Sequence, residues 1–64
     1  MRAYAVTIQR WDGADSWIAD LGALNWQFIH TEAAGGRATL EAAIRSTIEQ
    51  LTGDKDFGVM LSVA

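Results

Sequence analysis

The apolar residues of this chain follow two different periods, and the change between them constrains the fold more than any other feature. Between residues 40 and 51 they recur at spacings of four, four and three, at Leu40, Ile44, Ile48 and Leu51. That spacing places them along one side of an α-helix. In much of the remaining chain, apolar residues alternate with others, which is typical of half-buried β-strands. The sequence therefore predicts one amphipathic helix within a β-rich chain.

The sequence also indicates where this helix begins and ends. Thr39 stands where an N-cap residue belongs, and Gly53 can adopt the left-handed conformation that closes a helix. Glu41 in the first turn complements the helix dipole. Glu41, Arg45 and Glu49 are spaced four residues apart and form a ladder of alternating charge on the solvent side.

Four alternating segments predict four strands. They cover residues 4–9, 16–21, 24–31 and 57–64. Asp12-Gly13 lies between the first two segments, and an Asp-Gly pair between apolar runs is a strong hairpin signal. Residues 33–36, Ala-Ala-Gly-Gly, provide a flexible connection before the helix. We therefore expect an antiparallel meander of three strands, followed by the helix and a last strand.

This order, β-β-β-α-β, predicts an α+β fold in which one helix packs on one face of an antiparallel sheet, in two layers. We expect residues 1–64 to form a single domain, because the chain shows no repeat, linker or low-complexity segment. A domain near this size buries only about 60% of its unfolded surface. Such a small core leaves little room for an elaborate enzyme pocket.

Composition narrows the class of function further. The chain has no Cys, so disulfides and thiolate zinc sites are excluded, and a reducing cytoplasm is the expected setting. No apolar run approaches the length of a membrane span, and the N-terminal residues do not resemble a signal peptide. Eight acidic and five basic side chains give a net charge of −3. This balance favours a basic protein partner over direct binding to nucleic acid.

Residues with catalytic or metal-binding chemistry do not occur in a recognisable pattern. His30 is the only histidine, and nothing in the sequence links it to a nucleophile. The available serines are Ser16, Ser46 and Ser62. Asp12, Asp15 and Asp20 lack the ligand spacing of an EF-hand loop. We therefore expect no catalytic residue, no metal site and no cofactor, and a protein that is not an enzyme.

Aromatic and acidic residues are the better candidates for function. A two-layer domain leaves one sheet face open, and tryptophans there would serve as interface anchors. Trp11 and Trp26 are the candidates, with ordinary core filling as the alternative. Carboxylates in the turns and on the outer side of the helix can occupy clefts that bind phosphate. The candidate residues for this contact are Asp12, Asp15, Glu41 and Glu49, and the alternative is a solvated surface.

Two segments resemble HicB-like antitoxin domains. Residues 11–19, Trp-Asp-Gly-Ala-Asp-Ser-Trp-Ile-Ala, are similar to their acidic-glycine hairpin and the strand after it. Residues 39–44, Thr-Leu-Glu-Ala-Ala-Ile, are similar to the start of their helix. The likeness covers about residues 4–51, and it departs from the family where residues 20–23 replace an Asp-Leu-Pro-Gly loop. It implies the β-β-β-α-β fold and a protein that silences a small basic ribonuclease toxin.

In its small size, acidity and lack of catalytic motifs, the chain also resembles phage anti-CRISPR proteins, which block surfaces of nucleic-acid-handling complexes. We expect a non-enzymatic inhibitor of this kind, acting in the cytoplasm of a prokaryotic or phage-infected cell. Its partner would be a protein with a basic nucleic-acid-binding surface. The alternatives are a HicB-like antitoxin and a self-associating structural module. The chain itself is expected to be a monomer or a homodimer.

Overall fold

The computed structural model describes residues 2–64. It contains one helix, α1, over Arg37–Thr52. The four strands are β1 (Arg2–Trp11), β2 (Ser16–Leu21), β3 (Trp26–His30) and β4 (Phe57–Val63). Short 3₁₀ turns at Gly22–Leu24 and Glu32–Ala34 flank β3. The predicted order β-β-β-α-β is confirmed.

The strands form one sheet in the order β3-β2-β1-β4, and α1 covers one of its faces. The pairs β1–β2 and β2–β3 are antiparallel, as expected for a meander. The fold class, an α+β domain with two layers, is confirmed. The sheet is mixed, however, and not antiparallel throughout, because β4 pairs with β1 in parallel.

The helix explains this parallel pairing. Two reversals of direction make β3 run the same way as β1. The 16 residues of α1 extend over about 24 Å, which is long enough to return the chain along the whole sheet. β4 therefore starts at the same end as β3 and β1, and it joins the sheet beside β1 in the parallel sense. Parallel strands need this kind of crossover connection.

The start of α1 differs from the sequence prediction, whereas its end agrees. The N-cap is Gly36 and not Thr39, so the predicted cap was wrong. Gly36 has no side chain, and the carboxylate of Asp15 in the β1–β2 turn accepts a hydrogen bond from the backbone N–H of Arg37 instead. Gly53 closes the helix in the left-handed region with φ of 74°. Its N–H donates to the carbonyl of Glu49 at 2.8 Å.

The hydrophobic core lies between α1 and the covered face of the sheet. The predicted row of the helix supplies three completely buried residues, Leu40, Ile44 and Ile48. The sheet contributes alternate residues from its strands, namely Tyr4, Val6, Ile8, Trp17, Ala19, Leu21 and Phe57. Leu51, the last member of the predicted row, is 42% exposed. Trp17 is thus part of the core.

Gly36 offers a test of the contact between the turn and the helix. Its φ of 59° is unfavourable for other residues, and a Cβ atom there would overlap the Asp15 carboxylate. We expect Gly36→Ala to lower the free energy of unfolding by about 1–3 kcal/mol. Gly22→Ala, where a Cβ meets only Asp20 Oδ1 at 3.9 Å, should change it by less than about 0.5 kcal/mol. Urea denaturation measures both, and equal losses would contradict this account.

Candidate functional site

The hydrophobic core lies on one side of the sheet, and the other side of the sheet faces away from α1. Strand pairing identifies its residues, because paired residues point to the same face of a sheet and alternate along each strand. We call this surface the open face. It comprises Ala3, Ala5, Thr7, Gln9, Trp11, Ser16, Ile18, Asp20, Gln27, Ile29, Gly58, Met60 and Ser62.

The open face combines apolar groups with uncharged polar ones. A shallow depression of about 190 Å³ is lined by two amides, a hydroxyl, a carboxylate and an apolar side chain, those of Gln9, Gln27, Thr7, Asp20 and Ile18. Around it, Trp11 is 46% exposed, Ile29 52% and Met60 58%. Exposed aromatic and apolar groups beside hydrogen-bonding side chains are the usual components of a protein-binding surface.

None of the five basic residues of the chain lies on the open face. The five of them are Arg2, Arg10, Arg37, Arg45 and Lys55. Arg2 and Arg10 occupy strand positions that point to the helix side, Arg37 and Arg45 lie on α1, and Lys55 lies in the loop before β4. Contacts to phosphate need such cations. The open face therefore offers none of these five cations to a phosphate group.

Trp11 and Asp12, two of the residues singled out from the sequence, are neighbours at the end of the β1–β2 hairpin. Trp11 pairs with Ser16 and belongs to the open face. Asp12 is exposed in the turn with φ of 57°, a conformation that Asp tolerates better than most residues. The hairpin thus presents an indole and a carboxylate side by side at one rim of the open face.

Glu41 and Glu49 lie on α1, in the other layer of the molecule. Both are exposed, and Glu41 forms an ion pair of 3.5 Å with Arg37 one turn earlier. Glu49 lies two turns after Glu41, which separates them by about 12 Å along the axis. Of the four candidate carboxylates, Asp12 and Asp15 therefore belong to the β1–β2 turn, whereas Glu41 and Glu49 belong to α1.

Asp15 has a structural role within the fold. Its Oδ1 accepts a hydrogen bond from the indole Nε1 of Trp17 at 3.0 Å, and both carboxylate oxygens face the N–H of Arg37 at 3.3 and 3.4 Å. The Trp17 hydrogen bond, helped by the Arg37 N–H and the charges of Arg10 and Arg37, holds the pKa of Asp15 below its usual range. The ionised carboxylate connects the hairpin, the core and the start of α1.

Trp26 belongs to the helix side of the sheet, on the edge strand β3. It pairs with the buried Leu21 and is nevertheless 47% exposed. Trp11 and Trp26 are thus almost equally accessible but belong to opposite faces of the sheet.

The side chain of His30, at the end of β3, contacts Thr39 in the first turn of α1. Its Nε2 lies 2.7 Å from Thr39 Oγ1, and the Thr39 hydroxyl donates to the carbonyl of Ala34 at 3.1 Å. The Thr39 hydroxyl thus contacts both the His30 ring and the Ala34 carbonyl. Of the serines considered as nucleophiles, Ser16 accepts a hydrogen bond from the N–H of Glu32 at 3.0 Å. Both contacts secure the segment between β3 and α1.

Sequence reasoning missed most of the open face as a site. Thr7, Gln9, Asp20 and Gln27 are the residues that alternate with the apolar ones used to predict the strands. The strand pattern was therefore a usable signal, because the row opposite a core-facing row is a candidate surface. The contact of Asp15 with Arg37 had no comparable signal, since it joins residues 22 positions apart.

Within residues 2–64, no three His, Cys, Asp or Glu side chains are grouped in a way that could hold a metal ion. The helix found in this part of the chain is too short and too polar to span a membrane. No protein-family model, curated protein or solved structure matches the chain.

The lowered pKa of Asp15 predicts a dependence of stability on pH. A carboxyl group whose pKa is lower in the folded state stabilises the fold above its unfolded pKa, near 3.8, and loses this effect as the pH falls through the folded value. We expect Asp15→Asn to be less stable than the natural chain at pH 7, with the difference shrinking below pH 3.8. Asp12→Asn, which removes a charge from the same hairpin, should cost less at pH 7. Urea denaturation across this range measures both, and a constant Asp15→Asn difference would contradict the assignment.

Proposed function

We propose that this chain is a non-enzymatic inhibitor that binds a nucleic-acid-handling protein complex and occludes its binding surface, as small anti-CRISPR proteins do. The proposed setting is the cytoplasm of a prokaryotic or phage-infected cell. The supporting observation is the open face, which exposes Trp11 and polar groups and contains none of the five basic residues. Such a face is suited to a protein surface, and the carboxylates of Asp20 on the face and Asp12 at its rim favour a basic one.

Trp11 is the proposed anchor of the contact. A half-exposed indole can bury a large apolar area on binding, and tryptophan is enriched among residues that dominate interface energetics. Asp12 at the same rim and Asp20 on the face supply the negative charge that meets the partner's cations. Asp15 is left out of this contact because its carboxylate is engaged by Trp17 and Arg37.

A HicB-like antitoxin is the second candidate. The observation that favours it is the β-β-β-α-β order, with the hairpin of residues 11–19 formed where the resemblance implies one. The partner would then be a small basic ribonuclease. Capture on the immobilised chain from a prokaryotic lysate, followed by mass spectrometry, separates the two candidates. A CRISPR effector subunit supports the inhibitor, a ribonuclease toxin supports the antitoxin, and failure to capture either contradicts both.

The two half-exposed tryptophans form a matched pair for testing the contact surface. We expect Trp11→Ala to weaken binding to the captured partner at least about tenfold, as truncation of an interface anchor does. Trp26→Ala, equally exposed but on the other side of the sheet, should weaken it less than about threefold. Isothermal titration calorimetry with the purified partner measures both. The reverse order would assign the contact to the helix side.

Neutralising two pairs of carboxylates tests the electrostatic contribution to the proposed contact with the partner. We expect the double variant Asp12→Asn, Asp20→Asn to slow association several-fold at low salt, because charges at an interface steer the encounter. The double variant Glu41→Gln, Glu49→Gln removes the same charge from the helix and should have a smaller effect. Stopped-flow association rates at two ionic strengths measure this, and equal slowing would show that net charge alone matters.

A further inference from the structure

The outer edge of β4 is a long strand edge without the usual protection against pairing. β4 is one of the two edge strands of the sheet, and its seven residues, Phe-Gly-Val-Met-Leu-Ser-Val, include no charge and no proline. Edge strands are normally protected by lysine, proline, a bulge or a covering segment. The other edge, β3, has five residues with a 3₁₀ turn on either side.

The backbone groups that face outward from β4 can be identified from the hydrogen bonds between β4 and β1. The N–H of Ala64 donates to the carbonyl of Ile8 on β1 at 2.8 Å. Because backbone groups alternate in direction along a strand, the odd-numbered residues of β4 point theirs away from β1. The first outward carbonyl, that of Phe57, accepts a hydrogen bond from the Arg45 guanidinium at 3.0 Å. The outward N–H and C=O groups of Val59, Leu61 and Val63 remain for another strand.

A groove runs beside this edge on the helix side. It has a volume of about 140 Å³ and is lined by Glu41, Ile44, Arg45, Val59 and Leu61. Val63 at the end of the strand is 66% exposed. Apolar side chains thus border the free backbone groups, and one acid and one base lie one helical turn apart along the groove.

We propose that β4 pairs with β4 of a second copy of this chain, antiparallel and centred on Leu61. In this register Leu61 lies opposite its own counterpart, and Val59 lies opposite Val63 of the other copy. All outward groups of these three residues are then used, in about six hydrogen bonds. The two sheets of four strands become one sheet of eight, with both helices on the same face.

The symmetric spacing of the free backbone groups favours a second copy over an unrelated strand. Val59 and Val63 lie two residues on either side of Leu61. A two-fold axis at Leu61 therefore matches every outward N–H and C=O of one copy with a partner in the other. The open face stays uncovered in this dimer. The inference therefore does not depend on the proposed function, and a dimer would present Trp11 twice.

Sedimentation velocity of the purified chain tests the proposal directly. Pairing through one strand edge predicts weak association, so we expect the dimer to be observable between about 1 and 500 μM. We expect the mass to rise with concentration from 7.0 kDa to twice that value. A chain that stays monomeric at about 500 μM would overturn the proposal.

A pair of variants at position 63 tests whether the dimer forms through the edge of β4. Val63→Pro removes an outward N–H, and proline is tolerated on a strand edge whose N–H faces solvent. Val63→Ala removes the same exposed side chain and keeps the N–H. We expect Val63→Pro to raise the dimer dissociation constant at least about tenfold, and Val63→Ala less than about threefold. Equal dissociation constants for the two variants would overturn the β4 register.

Circular dichroism and thermal melting check that both variants are folded. If Val63→Pro does not fold, Met60→Lys replaces it, with Met60→Gln as its control. Met60 is 58% exposed, and lysine there places two positive charges on either side of the two-fold axis. We expect Met60→Lys to be monomeric and Met60→Gln to dimerise. Dimerisation of both to the same extent would overturn the proposal.

Discussion

The hydrogen bond between the Asp15 carboxylate and the N–H of Arg37 connects the two layers of this small domain. A helix that begins at a glycine has no side chain of its own to accept its first N–H groups, and these groups are costly to leave unpaired. Asp15 supplies the acceptor from the turn between β1 and β2, and Trp17 holds it in place. The helix start is thereby attached to the hairpin, which aligns Leu40, Ile44 and Ile48 over the sheet.

This arrangement also decides which surfaces stay free. One helix covers one face of four strands, so the other face is left to solvent or to a partner. The crossover that α1 makes places β4 outside β1, as an edge strand. The open face and the β4 edge are therefore consequences of the same topology. They point in different directions, so a dimer through β4 and a partner on the open face are compatible.

The candidate contact residues were chosen from the sequence by residue type and charge, without knowledge of their places in the fold. Trp11 and Asp12 are neighbours in the chain, so they lie together at the end of the β1–β2 hairpin. Asp15 and Glu41 were grouped with Asp12 by charge alone, but Asp15 is engaged at the helix start and Glu41 pairs with Arg37. Charge patterning does not report which carboxylates already have partners. Those partners are brought close by packing between segments distant in sequence.

By itself the sequence determined the helix, the strands and their order. The spacing of the apolar residues, the turn-forming residues and Gly53 are all local features of the chain. The β2 strand, the hairpin at Asp12-Gly13 and the end of α1 all follow from residues within a few positions. Only the tertiary structure decided the direction of β4 and the acceptor at the start of α1. These depend on contacts between residues far apart in the chain, and such contacts form only when the helix packs across the sheet.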